Sequence, residues 1–222
     1  RHSPDSGWDY MQIPELDIAA FIAPYVICPA DGNYMYAGNG GIAKTIDGGD
    51  FWFPTNDGRL LDNGNPVLII GVAKNPDIVY AATAPTTRVG GSRGHIVVRT
   101  DGGGNWPDQP GILPDRYPMD IAVDPSDDAT AYVVFSGFGS GHVYKTTDFG
   151  VSWTDISNGL PDIPTNAVIV DPLYPNNIYI GNDLGVYVSI NGGVSWETYQ
   201  SGLNTATMVF DLKISPSNRK HP

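Results

Sequence analysis

The side chains of this chain that could do chemistry are mostly carboxylates. Glu occurs only as Glu15 and Glu197, so Asp supplies the other 22 of 24 acidic residues. Asp120 opens an apolar run, DIAVDP, and Asp183 sits in the turn sequence N-D-L-G. Two carboxyls held roughly 6.5–9.5 Å apart, one kept protonated by its surroundings, can hydrolyse a glycosidic bond with inversion. The plainer reading is that Asp120 caps a strand entry and Asp183 makes a turn, because Asp is a default turn residue. Four arginines, Arg59, Arg88, Arg93 and Arg116, lie in Gly/Pro-rich stretches between apolar runs. Clustered, they could grip a carboxylate through bidentate bonds; apart, they are solvated loop charges. Tyr117 and Phe138 could stack on sugar rings near them.

Other constellations fail. His2, His95, His142 and His221 are far apart in the chain. His95 and His142 each follow a Gly at the start of an apolar run, and read better as strand residues than as ligands of a shared metal. Neither a metal nor a cofactor is expected. Cys28 is the only cysteine, so a disulfide framework or a cysteine-based zinc site within this chain is excluded. Its setting, YVICP, reads as that of a small buried hydrophobe. The run Gly137–Gly141 has no helix pattern after it, so it is not a phosphate loop, and it does not spell a nucleophile elbow.

The elements that must position these groups read as strands. Gly and Pro together reach 27 and 19 residues, with Val, Ile, Tyr and Trp spread between them. That mixture suits many short strands joined by tight turns. Alternation in YMYAG, HVYKT and VYVSI has the period of a strand, and no segment shows a convincing helical period. The net charge of −12 repels phosphate backbones, so nucleic-acid binding is not expected. No apolar run approaches 18 residues, so membrane insertion by a helix is not expected either.

Repetition organises the chain. Four segments align: TIDGGDFW from Thr45, RTDGGGNW from Arg99, TTDFGVSW from Thr146 and SINGGVSW from Ser189. A degenerate fifth, SPDSGWDY, starts at Ser3. The key positions Asp5, Asp47, Asp101, Asp148 and Asn191 are separated by 42, 54, 47 and 43 residues. A period in the forties matches one four-stranded propeller blade. Before each of the four clear copies, an apolar strand ends near a proline and a tyrosine strand follows, with Tyr36, Tyr80, Tyr132 and Tyr179 in equivalent places. In the turn itself the Asp carboxylate can accept backbone N–H groups, and the Gly after it supplies a positive φ. The roles of these Asp residues, and of Trp52, Trp106, Trp153 and Trp196, are therefore read as structural.

The pattern S/T-x-D-x-G-x-x-W resembles the Asp-box, also called the bacterial neuraminidase repeat, and the resemblance covers nearly the whole chain. It implies an all-β fold, an Asp-box β-propeller of four-stranded antiparallel blades. The blades are expected at residues 18–56, 66–108, 118–157 and 165–200, with partial blades at 1–14 and 206–216, in a single propeller over 1–222. Known propellers of this kind carry six to ten blades, so the chain is expected to be a fragment of a larger one, whose remaining blades would be a partner. Sialidases, xyloglucanase-type glycoside hydrolases, sortilin-like receptors, photosystem assembly factors and uncharacterised secreted bacterial proteins share the repeat. The run from Ala131 to Pro161 is most similar to the last group, which implies an exported bacterial protein, extracellular or periplasmic.

In propellers the 2–3 and 4–1 loops share one face, and the box turns lie on the other. The resemblance thus places Arg59, Arg88, Arg93, Arg116, Tyr117, Phe138 and Asp183 on the loop-rich face, with Asp120 near the axis. A sialidase would need, beside the arginines, a Tyr nucleophile and a Glu to help ionise it. Glu197 follows a box Trp on the opposite side, Glu15 lies beyond the first partial blade, and the Arg-Ile-Pro signature is absent. The expected function is a non-catalytic recognition or scaffold module that binds a carbohydrate or a protein. The alternative is an inverting, xyloglucanase-like glycoside hydrolase that uses Asp120 and Asp183 and has part of its active site outside this chain.

Overall fold

A computed structural model describes residues 22–62, 65–84, 93–102, 106, 113–204 and 206–215. The described residues form four antiparallel sheets, each built from strands consecutive in sequence. The first holds β1 (Tyr25–Ile27), β2 (Met35–Gly38), β3 (Ile42–Thr45) and β4 (Phe53–Pro54). The second holds β5 (Val67–Val72), β6 (Val79–Thr83) and β7 (Ile96–Arg99). The third holds β8 (Pro118–Asp124), β9 (Asp127–Phe135), β10 (Val143–Thr146) and β11 (Thr154–Asp155). The fourth holds β12 (Thr165–Val170), β13 (Ile178–Asn182), β14 (Gly185–Ser189) and β15 (Glu197–Thr198). Most of the stretch where a fourth strand of the second sheet is expected lies outside the described residues. No α-helix occurs among the described residues, and a single 3-10 turn spans Asn56–Gly58.

The sheets stand side by side, with the first strands packed in sequence: β1 against β5, β5 against β8, β8 against β12. Each sheet between two others is buried on both faces, and the period of two in its strands shows it. On β6, Val79 and Ala81 enter the core shared with the first sheet, which also holds Tyr36, Ile42, Val67 and Trp106. Tyr80 and Ala82 point the other way, into the core shared with Val133, Phe135 and Trp153. The third core joins Tyr132, Val134 and Val143 to Val168, Ile178, Ile180 and Trp196. All five residues of β6 are therefore buried, and small residues are used where sheets approach closely. A Cβ on Gly71 would lie 2.7 Å from Ile121 Cγ2, and one on Gly38 would lie 2.9 Å from Val67 Cγ1. This radial stack of antiparallel sheets is the architecture of a β-propeller.

Hydrogen bonds stitch one sheet to the next. The buried Tyr36 hydroxyl donates to the Pro76 carbonyl, and Tyr80 donates to the Asp128 carbonyl at 2.7 Å. Trp106 Nε1 donates to Thr55 Oγ1 at 3.3 Å, and Trp196 Nε1 to the Ile156 carbonyl at 2.8 Å. Tyrosine and tryptophan suit this work because they bury a large apolar body while their polar tip finds an acceptor.

Residues 206–215, expected as a first strand, join no ladder among the described residues. They still occupy the corresponding place. Val209 N donates to the Asn182 carbonyl at 3.0 Å, as Val67 N donates to the Asn39 carbonyl at 2.6 Å. A first strand needs a second beside it before a ladder can form, and the described residues supply none.

Candidate functional site

The two ends of the sheets differ in what their turns do. At one end each 3–4 turn bonds through its backbone to the 1–2 turn of its own sheet or, in the third sheet, to the start of β9: Gly48 N to Asn33 O, Gly102 N to Asp77 O, Phe149 N to Ala129 O and Gly192 N to Asn176 O. The recurrent D-x-G turns lie here, and three of them share one bond set. The Thr45 hydroxyl donates to Asp47 Oδ1 at 2.8 Å and accepts from Gly49 N at 3.0 Å, while Asp47 Oδ1 accepts from Phe51 N at 3.0 Å. Thr146, Asp148, Gly150 and Ser152 repeat it. Ser189, Asn191, Gly193 and Ser195 repeat it with a neutral acceptor. Asp47 and Asp148 are held below the usual carboxylate range, chiefly by the N–H and O–H groups they accept.

The second turn departs from the set. Arg99 stands where its counterparts are Thr or Ser, and is 1% exposed. Its Nε lies 3.3 Å from Asp101 Oδ1 and its guanidinium 5.5 Å from the Trp106 ring, but neither Nη has a hydrogen-bond partner among the described residues. Sequence alignment places Arg99 in the repeat without showing this; a cation in place of a hydroxyl residue was the available signal.

The opposite end carries the longer loops and the candidate groups. Asp62 accepts Thr83 Oγ1 at 2.7 Å and Asn65 Nδ2 at 2.8 Å. Asp162 accepts Gly139 N at 2.8 Å and meets His142 Nε2 at 3.0 Å. His142 is buried. This His–Asp pair escapes sequence reading because its members sit on different loops. Gly139 N–H and His142 hold the Asp162 carboxyl below its ordinary range.

Asp120 is the third residue of β8, inside the strand rather than capping its entry, half-buried at the junction of the third and fourth sheets. Its Oδ1 accepts Ile121 N at 2.9 Å, and its Oδ2 accepts Val168 N of β12 at 2.9 Å. Burial pushes its carboxyl up to about 6, against the pull of those two N–H groups and of Lys213, while Asp211 adds to the rise. Asp183 lies in the β13–β14 turn and accepts Asn166 Nδ2 at 3.0 Å. The two aspartates are thus tied to the same strand, β12, at Val168 and at Asn166.

The arginines separate. Arg93 and Arg116, both exposed, line one small cleft of about 30 Å³ between the second and third sheets, with Thr83, His95, Leu113, Pro114, Pro118 and Phe135. Arg59 is exposed at the end of the 3-10 turn and does not line it. Arg88 and Asp5 lie outside the described residues. Tyr117 and Phe138 are 50% and 61% exposed beside Arg116. Among the described residues no group of three His, Cys, Asp or Glu side chains is arranged to hold a metal.

No protein-family profile and no curated protein matches this chain. Solved structures do. The GH74 enzyme of Niastella koreensis is 25% identical with a TM-score of 0.60, over 79% of this chain and 29% of its own. The GH74 xyloglucanase of Xanthomonas campestris is 18% identical with a TM-score of 0.65, over 84% of this chain and 31% of its own. YCF48 from Cyanidioschyzon merolae is 20% identical with a TM-score of 0.53, over 84% and 58%. This chain shares their β-propeller fold. It spans less than a third of either glycoside hydrolase.

Proposed function

We propose that this chain is a non-catalytic recognition or scaffold module, an Asp-box propeller of an exported bacterial protein, which binds a glycan or a protein on its loop-rich face. The observation that carries the reading is the state of the two candidate carboxylates. Both oxygens of Asp120 accept backbone N–H groups, one of them from the next sheet, and Asp183 accepts Asn166. They act as struts between strands. The arginines support recognition instead, since Arg93 and Arg116 share a cleft with apolar walls. The hydrogen-bond set common to three of the D-x-G turns supports the Asp-box assignment, and gives those carboxylates and Asn191 a structural role.

One observation favours a second reading, a glycoside hydrolase completed by residues beyond this chain. Asp120 holds its proton up to about pH 6, as an inverting enzyme requires of its acid. The likeness to the GH74 enzyme of Niastella koreensis points the same way. Reducing-end release from xyloglucan and other polysaccharides separates the two. The recognition reading expects no turnover, and glycan or protein binding that survives Asp120→Asn and Asp183→Asn. Release that disappears on either substitution would overturn it.

A further inference from the structure

The protein carries a net charge of −12, so it repels anions at long range. Cations left unpaired in a cleft of such a protein call for a reason. Of the arginines described, Arg99 is engaged by Asp101. Neither Arg93 nor Arg116 has a carboxylate oxygen within 4 Å among the described residues, although Asp is the commonest charged residue of the chain and Asp162 lies near enough to feel the charge of Arg116.

Arg116 is set in place by the fold. Its Nη1 donates to the Asp115 carbonyl and its Nη2 to the Phe138 carbonyl, each at 3.1 Å. Its stem lies across Gly137, where φ is +96° and a Cβ would stand 2.7 Å from Arg116 Cδ. Glycine at 137 therefore serves both the left-handed backbone and the passage of the arginine. Two of the guanidinium's five N–H donors are used on carbonyls, and the others remain for a ligand. A side chain already ordered loses less entropy when it binds.

We infer that the cleft between the second and third sheets binds the carboxylate of an acidic saccharide, a hexuronate unit, with Arg116 and Arg93 as the charge partners. The inference rests on the recognition reading above and names the ligand class of that face. The enclosed part of the cleft is small, about 30 Å³, room for a carboxylate group, so the pyranose ring itself would lie at the cleft's mouth. Leu113, Pro114, Pro118 and Phe135 give the cleft an apolar wall, and Thr83 and His95 add polar groups. Tyr117, next to Arg116 in the chain, and Phe138, whose carbonyl Arg116 bonds, carry exposed rings, and an aromatic face packs well on the C–H face of a pyranose. A peptide's C-terminal carboxylate is commonly held by a nest of backbone N–H groups, whereas this cleft presents guanidinium groups and rings.

The test is titration calorimetry with tri-galacturonate, with galactotriose as its neutral counterpart and a short peptide with a free C-terminus as the competing class. Arg116→Gln and Arg93→Gln probe the cleft, Arg59→Gln serves as a control outside it, and circular dichroism checks the fold of each. The inference expects tri-galacturonate to bind the parent protein and to weaken as salt rises. It expects a loss of about ten-fold or more with Arg116→Gln or Arg93→Gln, the size of one charge-assisted contact, and no change with Arg59→Gln. Should Arg116→Gln unfold the loop it helps to pin, Arg93→Gln still decides. Absence of tri-galacturonate binding, or binding indifferent to both cleft variants, overturns it. So does peptide binding that depends on Arg116 where the saccharide does not bind. Galactotriose binding without tri-galacturonate binding leaves the recognition reading standing and overturns the uronate inference.

Discussion

Asp120→Asn should remove one specific segment of the protein's pH dependence. In the unfolded chain this carboxyl titrates near 3.8, and in the folded protein at about 6. Between those values the folded state holds a proton that the unfolded state has released. Asp120 therefore favours folding most at low pH, and that contribution declines as pH rises from about 4 through 6. A difference of about two units corresponds to an upper bound of about 3 kcal/mol. Asparagine cannot ionise, but it also offers one acceptor for two N–H groups, Ile121 N and Val168 N. At neutral pH the variant loses a bond and sets an NH2 against a donor, a penalty of about 1–3 kcal/mol that offsets the relief of a buried charge. Its absolute stability is therefore expected within a few kcal/mol of the parent. The shape of its pH profile is what changes. Urea unfolding of both proteins at half-unit steps from pH 3.5 to 8 gives the difference curve directly. Asp47 and Asp148, held low, add stability that is lost only as pH falls below the ordinary carboxylate range. They are common to both proteins and cancel in the difference. A difference curve flat between pH 4 and 7 would refute the argument that burial governs Asp120.

Other changes test the packing. Arg99→Thr should restore the hydroxyl found in the other turns, for a gain of about 1 kcal/mol after the lost contact with Trp106 is discounted. Thermal unfolding should then rise by about 2–4 °C; a fall would mean that Arg99 has partners worth more than the turn. Gly193→Ala should destabilise by about 1–3 kcal/mol, because φ is +95° there and the new Cβ would clash with Ile156 Cδ1. Tyr80→Phe should lose about 1–2 kcal/mol, since the Asp128 carbonyl loses the 2.7 Å bond that ties the second sheet to the third. Denaturant midpoints measure both.

What was legible in the sequence was the repeat. The turn motif and the tyrosine strand recur in step, and each repeat folds into a sheet with its first strands adjacent to those of its neighbours. Local chemistry suffices for this, because every repeat solves the same problem of burying both faces of a sheet. Tyr36 and Tyr80 were visible as a pattern, but their bonds to Pro76 and Asp128 depend on the approach of a second repeat. The site was less legible for the same reason. Asp120 reads as a strand cap from its own neighbours, and its second bond comes from Val168, 48 residues away. Arg93 and Arg116 read as two loop charges among four, and only the packing of the second sheet on the third puts them in one cleft without Arg59. His142 offered no signal toward Asp162 at all, since the two meet through loops from different strand pairs.

The role proposed for the loop-rich face is recognition without catalysis. One experiment addresses it most directly: incubation of the protein with a panel of neutral and acidic polysaccharides, with retention on each and reducing ends released from each measured in the same samples. Recognition without catalysis predicts retention on at least one polysaccharide with no reducing ends above the buffer control. Reducing ends that accumulate with time and vanish in Asp120→Asn would contradict it.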